Sequence, residues 1–445
     1  MSSRTVFLFP GLGAYSTGVL RQARPHHRQV DETFHEIDEV AAQRGLPPVS
    51  ALLFHDRPRT IQEMLAEPAE LLQLAIFGAS VATHRILVDH GLEPDLLVGH
   101  SFGEMAALVA AGAFSLADGA RLVCARCDAL RDWEGRGVMA AIGTNETAAA
   151  HLPGVLDEPD LVIGCLNAPR QTVLTGPAAA VDRAERVARA LDLPFARLQL
   201  PYASHHPSMR PAVTTFVELM ADIRQKPLRR AVFSPIHLRR YTDDDDLKQA
   251  LAECLVLPVL FTKTVRDLHA AGYKNFVEAG ALNTLTRCVE LTVPGVRTEA
   301  PLIDAERESE GLSAAANTSP PRQRTTPVAV PRGAEDAAAG VVAPAAPRQV
   351  PEQRAAEPVS REQVLRELRE LYAAALEYPP DVLTEEVLLE AELGVDSLKQ
   401  TSLLNRVVER FGLASSSDRM RVWELPTLGH IADYVVTRAD QRVMS

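Results

Sequence analysis

The chain has 445 residues, room for two to four domains at roughly 100–200 residues each. Its 46 basic and 58 acidic residues leave a net charge of −12, which argues against an electrostatic grip on nucleic-acid phosphates or an anionic membrane face. Hydrophobic residues at 46% and charged residues at 23% exclude disorder throughout, and five cysteines are too few for a disulfide scaffold.

The opening MSSRTVFLFPGLG lacks the basic region and apolar run of a secretory signal. No stretch reaches ~18 uninterrupted apolar residues, so a soluble cytoplasmic protein is expected. Thr5–Pro10 reads as a buried strand ending in the Gly-rich turn Gly11-Leu12-Gly13. Residues 68–90 carry apolar side chains at helical spacing, Leu96–Val98 is a short buried strand, and Glu104–Ala113 and Leu116–Leu130 read as helices. Such alternation predicts an α/β domain, a parallel sheet with helices on both faces.

From about 137 to 200 the rhythm changes: strand 138–142, helix 145–152, strands 161–166 and 171–175, helix 178–191, strand 195–200. This βαββαβ order predicts a ferredoxin-like insert. Residues 301–358 hold nine of the chain's 31 prolines and no aromatic residue, a composition that reads as a linker. Residues 359–445 show helical stretches and no convincing strand, so a small all-α bundle is expected there. The predicted division is therefore 1–300, with the insert at 137–200, then the linker 301–358 and the bundle 359–445.

The strongest local signal is LLVGHSFGEMAALVAAGAF, residues 96–114, with the form strand, Gly99-His100-Ser101-Phe102-Gly103, helix. Two glycines permit a sharp strand-to-helix turn that lifts Ser101 to the sheet's edge, as in an α/β-hydrolase-like core. The same turn aims the Phe102 amide at an anion forming beside Ser101. A serine nucleophile needs a base, and spacing alone does not choose among the 13 histidines.

FPGLG (9–13), GHSFGE (99–104), Arg126, NAPRQTVLTG (167–176), YASHHP (202–207) and VEAG (277–280) occur in order. Together they resemble the acyltransferase domains of modular polyketide synthases and the malonyl-CoA:carrier-protein transacylases, over about residues 4–297. The resemblance implies Ser101 as acylated nucleophile and His205 as its general base, oriented by a backbone carbonyl near Leu257 or Pro258. It implies the amides of Leu12 and Phe102 as oxyanion hole and Arg126 as the grip on a malonyl-type carboxylate. Asn167, Tyr202 and Ser204 are implied in the substrate pocket. Two departures stand out: Leu12 occupies a position usually held by glutamine, and Glu67-Pro68 replaces a frequent glutamine-proline. Tyr202-Ala203-Ser204-His205 is similar to the form found in methylmalonyl-selecting members, while Phe102 leaves a larger α-branch open.

LLEAELGVDSLKQTSLLNRVVERFG, residues 388–412, with the later Leu425-Pro426-Thr427, resembles an acyl-carrier domain. The resemblance implies 4′-phosphopantetheine on Ser397. Residue types agree, since a serine at a loop-to-helix junction is exposed and the helix dipole favours a phosphate there. From Arg361 to Lys399 ten acidic and four basic residues suit docking on basic partners.

The expected protein is an acyltransferase–carrier didomain, read as a free-standing loader that moves a malonyl-type group from acyl-CoA to a carrier thiol, its own by preference. The implied partners are a phosphopantetheinyl transferase and a downstream ketosynthase or tailoring enzymes. No metal is expected: Cys124-Ala-Arg-Cys127 has no second pair, and Asp243–Asp246 reads as an exposed acidic loop. A serine-dependent editing hydrolase and a non-catalytic carrier scaffold remain the alternatives.

Overall fold

The structure is a computed structural model, and it describes residues 4–305, 307–317, 360–376, 383–385, 389, 403–404, 406–407, 410–411 and 427–443. The chain divides into two compact units, Met1–Pro321 and Arg322–Ser445.

Strands of the first unit are, in chain order, β1 (Arg4–Phe9), β2 (Leu96–Gly99), β3 (Val138–Ile142), β4 (Val162–Ala168), β5 (Gln171–Gly176), β6 (Phe195–Arg197), β7 (Val232–Ser234), β8 (Arg239–Arg240), β9 (Tyr273–Glu278) and β10 (Arg297–Glu299). The larger sheet has the order β10-β9-β1-β2-β7-β8 and is parallel except for the final β7–β8 pair. β1 sits at its centre. Period-2 alternation sends Phe7 and Phe9 into the core on one face and Val6 and Leu8 into the core on the other. Each fully buried phenylalanine contributes roughly 2–3 kcal/mol of apolar burial.

Helices cover both faces, as the predicted α/β architecture requires. On the first face lie Arg28–Gln43, Ala69–Asp89, Gly103–Ala110 and Leu116–Leu130; on the second lie Phe261–Ala270 and Thr284–Thr292. Ala69–Asp89 is long and apolar enough to match a membrane span, yet 83% of its most apolar window is buried inside this unit. It is a core helix.

The second sheet has the order β4-β5-β3-β6, with every pair antiparallel. Helices Glu146–Leu156 and Ala178–Ala190 pack on it around Leu152, Val181 and Ala184. Order and connection are those of a ferredoxin-like unit. Its edge strand β4 also grips the segment beyond it: Leu166 N donates to Val259 O at 2.8 Å and Val259 N to Gly164 O at 2.9 Å.

The reading of residues from 301 onward as linker needs correction at its start. Leu302, Leu312 and Ala315 are buried in the first unit's core, and helix Glu308–Asn317 packs there. The carboxylate of Glu308 accepts hydrogen bonds from the amides of Leu20, Gln22 and Ala23. Burial pushes its pKa up to about 7. Averaged over 58 residues, a Pro/Ala-rich composition hides three apolar anchors and a capping acid.

In the second unit, helices Arg361–Leu376 and Leu428–Val443 pack with Leu403, Leu404 and Val407 around the buried Tyr372. Arg361 ties the two helices through Asp433 at 2.6 Å and also pairs with Glu385. The described residues of this unit are helical apart from short connections, in keeping with the expected bundle. Ser397, Leu425 and Pro426 lie outside the described residues.

Candidate active site

β2 ends at Gly99, and the chain turns through His100 and Ser101 into helix Gly103–Ala110. Ser101 has φ 53°, a left-handed conformation costly for a residue with a Cβ. The turn is closed by Gly103 N on His100 O at 3.0 Å and Glu104 N on Ser101 O at 2.9 Å. Close approach explains the glycines: a Cβ on Gly103 would lie 2.1 Å from Phe9 O, and one on Gly99 2.3 Å from Glu104 Cα. The Gly-rich turn after β1 lies against this elbow, since a Cβ on Gly11 would meet His100 O at 3.2 Å.

Ser101 Oγ lies 2.8 Å from His205 Nε2, across 104 residues of chain. His205 Nδ1 lies 2.9 Å from Leu257 O. A carbonyl only accepts, so the Nδ1 proton stays there and Nε2 keeps a lone pair for the serine hydroxyl. His205 is itself at φ 61°, held by its amide on Leu255 O at 2.8 Å. The β4 bonds to Val259 anchor the segment that carries both carbonyls. Burial lowers the His205 pKa to about 3, so the imidazole is neutral at physiological pH.

Arg126, on helix Leu116–Leu130, is 5% exposed and opens on the same cleft as Ser101. Its Nη1 donates to Gln73 Oε1 at 2.9 Å and to the Tyr202 hydroxyl at 3.2 Å. The rings of Phe102 and Tyr202 flank the guanidinium, 5.6 and 5.7 Å from centroid to Cζ. Among the described residues no carboxylate lies within ion-pairing distance of it. Beside Ser101, Phe102 and Arg126, the cleft is lined by Met105, Phe216, Leu251, Cys254 and Leu255. The cleft has about 10 Å³ of free volume, room for about one water.

The three implied pocket residues are placed as follows. Tyr202 reaches the site through Arg126 and is not on the cleft wall. Asn167, on β4, spends its amide oxygen on His100 Nε2 at 2.8 Å, so it steadies the elbow. Ser204 is buried with its Oγ unpartnered and is likewise absent from the lining. The amides of Leu12 and Phe102 donate to no acceptor among the described residues. Glu67 is drawn towards Arg59 at 3.9 Å.

Residue types alone did not reveal the wall Met105, Phe216, Leu251 and Leu255, nor Gln73, nor the buried acid Glu104. Glu104 accepts from the Tyr241 hydroxyl at 2.8 Å and the Cys254 thiol at 3.0 Å, tying the elbow helix to the segment that orients His205. For Gln73 one signal was present, a polar amide among the apolar neighbours Leu71, Leu72, Leu74, Ala75 and Ile76. All five cysteines are free and buried, and burial raises the thiol of Cys124 to about 11. The described residues contain no cluster of metal-ligating side chains.

A family model described as acyl transferase domain matches residues 6–325, and one described as phosphopantetheine attachment site matches residues 366–435. The chain is similar to the spectinabilin polyketide synthase system protein NorB of Streptomyces orinoci, 32% identical over 282 residues, covering 63% of this chain and 13% of that protein. It is also similar to a type I phenolphthiocerol synthesis polyketide synthase of Mycobacterium marinum, 29% identical over 290 residues, 64% of this chain and 13% of that protein. It thus spans less than a fifth of the length of these curated relatives. Among solved structures it resembles the malonyl CoA-acyl carrier protein transacylase of Coxiella burnetii, 27% identical, TM-score 0.63, covering 71% of this chain and 99% of that one. The malonyl-CoA:acyl carrier protein transacylase of Xanthomonas oryzae is 32% identical with TM-score 0.63, again over 71% and 99% of the two chains. With the first of the family models spanning residues 6–325, the chain belongs to the acyl transferase domain family and is an acyltransferase joined to a phosphopantetheine attachment domain.

Proposed function

We propose that the protein moves a malonyl-type acyl group from coenzyme A to Ser101 and then to a carrier thiol, its own by preference, in polyketide-type biosynthesis. One observation carries the reading: Ser101 and Arg126 open on one cleft, nucleophile and cation together. As Ser101 Oγ attacks the thioester carbonyl, His205 Nε2 takes its proton, and the Leu257 carbonyl steadies the imidazolium that forms. The amides of Leu12 and Phe102 receive the oxyanion without reorganising; one such donor is typically worth about 10²–10³ in rate. Collapse expels the coenzyme thiolate, which takes the proton back from His205, and leaves an ester on Ser101.

Arg126 offers a planar fork to the free carboxylate of the acyl group. A monocarboxylic acyl group would leave this cation buried and unneutralised, which disfavours it. In the second half-reaction His205 serves as base towards the acceptor and then returns the proton to the serine oxygen. Ser397 would hold the phosphopantetheine arm, which supplies the acceptor thiol when attached; the described helices around Tyr372 fit a carrier bundle. A phosphopantetheinyl transferase to attach the arm, and a ketosynthase or tailoring enzyme to consume the acyl-carrier, complete the proposed partners.

The test is to convert the full chain to its holo form, offer a panel of acyl-CoAs and weigh the intact protein. α-Carboxylated acyl groups should add, and Ser101→Ala should abolish addition. Equal loading of acetyl and malonyl groups by the unmutated protein would remove the role given to Arg126. Release to water exceeding transfer to the carrier would favour an editing hydrolase.

A further inference from the structure

The adjacent histidines His205 and His206 carry opposite tautomers, each fixed by a backbone carbonyl that can only accept. His205 gives its Nδ1 proton to Leu257 O, whereas His206 gives its Nε2 proton to Asp160 O at 2.8 Å. That leaves His206 Nδ1 as acceptor for the Ser208 amide at 3.1 Å and the Ser208 hydroxyl at 2.7 Å, a cap on the short turn Pro207–Met209. The ring is 6% exposed and is not on the cleft wall. One nitrogen serves the local turn; the other reaches 46 residues back, to the insert. Asp160 lies just before β4, and its carbonyl is packed against Gly176 at the end of β5, where a Cβ would meet it at 2.6 Å.

The same insert holds the other side of His205. Strand β4 bonds Val259 through Gly164 and Leu166, and so fixes the segment whose Leu255 and Leu257 carbonyls receive the His205 amide and Nδ1. A Cβ on Gly164 would lie 3.4 Å from His205 Cβ, so β4 passes against the loop itself. His205 has φ 61°, and a residue with a Cβ keeps such a conformation only where its surroundings over-determine it. We propose that His206 is a positioning residue for the acylation step: its Nε2 bond to Asp160 pins the loop carrying His205 to the insert and completes the frame that keeps the imidazole 2.8 Å from Ser101 Oγ. This rests on the reading of His205 as general base given above. Without the bond the loop is free to relax towards negative φ at His205, which swings Nε2 away from the serine. A displacement of about 1 Å at a reacting group is enough to cost ~10²-fold in rate. Arg126 lies on another helix, so the grip on the acyl group is untouched.

The experiment follows acylation of Ser101 in the full chain by intact mass over a range of malonyl-CoA concentrations, with urea unfolding of each variant alongside. His206→Gln puts an amide donor where Nε2 lies, and His206→Met fills a similar volume with none; neither keeps the Nδ1 cap. Acylation kcat should fall on the order of 10-fold in His206→Met and stay within about threefold of the parent in His206→Gln, with KM within about twofold in both. His206→Asn keeps an acceptor for the Ser208 amide but falls short of Asp160. Its kcat should drop as in His206→Met although its turn is capped, and it takes the place of His206→Met should that variant fail to fold. Acylation that survives Ser101→Ala, or that His205→Ala leaves unchanged, overturns the reading of the site itself. Where both are required, equal kcat in the Gln and Met variants, or parental kcat in His206→Asn, overturns the role of His206.

Discussion

His205 Nδ1 lies 2.9 Å from the carbonyl oxygen of Leu257, so the imidazole that faces Ser101 is oriented by a backbone group and not by an acid. Two consequences follow from having no carboxylate behind the ring. Its tautomer is fixed, and nothing anionic offsets the burial that lowers its pKa to about 3. The neutral, proton-accepting form therefore persists down to that value. The rate constant kcat/KM for Ser101 acylation should be flat from about pH 8 to about pH 5, with no step at the free-imidazole pKa near 6.5. His205→Ala should lower it by about 10²–10⁴ throughout that window. A clear acid limb centred near 6.5 would show the ring to be solvated during turnover.

The elbow makes a second prediction, because its glycines are set by distance. Gly103→Ala would place a methyl 2.1 Å from Phe9 O, and Gly99→Ala one 2.3 Å from Glu104 Cα, both backbone atoms that cannot rotate away. Each should destabilise the first unit by about 3 kcal/mol or more and abolish acylation, since relief has to move Ser101 off His205. Gly13, in the neighbouring turn, has nothing within 4 Å of its missing Cβ. Gly13→Ala should stay within about 0.5 kcal/mol of the parent in urea unfolding. Similar losses at all three positions would remove the packing explanation.

His84 supplies a prediction about stability and pH. It sits in the core helix Ala69–Asp89 against Phe7 and Phe9, with ring centroids 5.9 and 6.0 Å away, and its Nε2 has no partner. Burial lowers its pKa to about 3. The unfolded imidazole gains a proton below about 6.5 and the folded one does not until about 3, so stability is complete above 6.5 and is lost as pH falls between these values. At ~1.4 kcal/mol per pH unit the loss at pH 5 is about 2 kcal/mol. His84→Phe removes this titration, so its stability relative to the parent should rise by about 2 kcal/mol between pH 7.5 and pH 5. A difference that stays constant with pH would contradict this account.

Much of the site was legible because its chemistry is local in sequence. GHSFG lies between a strand and a helix and contains the elbow whole, and YASH carries the histidine that meets Ser101. The insert was legible through short apolar runs separated by helical stretches in the order βαββαβ. Arg126 was legible only through resemblance; by residue type it is one arginine on a helix that also carries Arg121. Its partner Gln73 lies 53 residues earlier, and no local pattern records a hydrogen bond of that span. The cleft wall was illegible for another reason. Met105, Phe216, Leu251 and Leu255 are ordinary core residues by composition, and only the fold distinguishes those beside Ser101 from the many that are not.

The end of the first unit gives the last prediction. Composition places the boundary at 300, whereas Leu302, Leu312 and Ala315 are buried and Glu308 receives three backbone amides near the start of the chain. Those amides belong to Leu20, Gln22 and Ala23, in the turn that enters helix Arg28–Gln43, so the segment at 308 closes the unit on its own beginning. Removing it forfeits the burial of two leucines, worth roughly 2 kcal/mol each, and leaves three backbone donors without their acceptor. A chain ending at 300 should therefore unfold at a markedly lower urea midpoint than one ending at 321, and Glu308→Ala in the full chain should cost about 2–3 kcal/mol. Because Ser101 and His205 lie on other elements, acylation by any folded Glu308→Ala protein should be unchanged. Equal midpoints for the two truncations would return residues 301–317 to the linker.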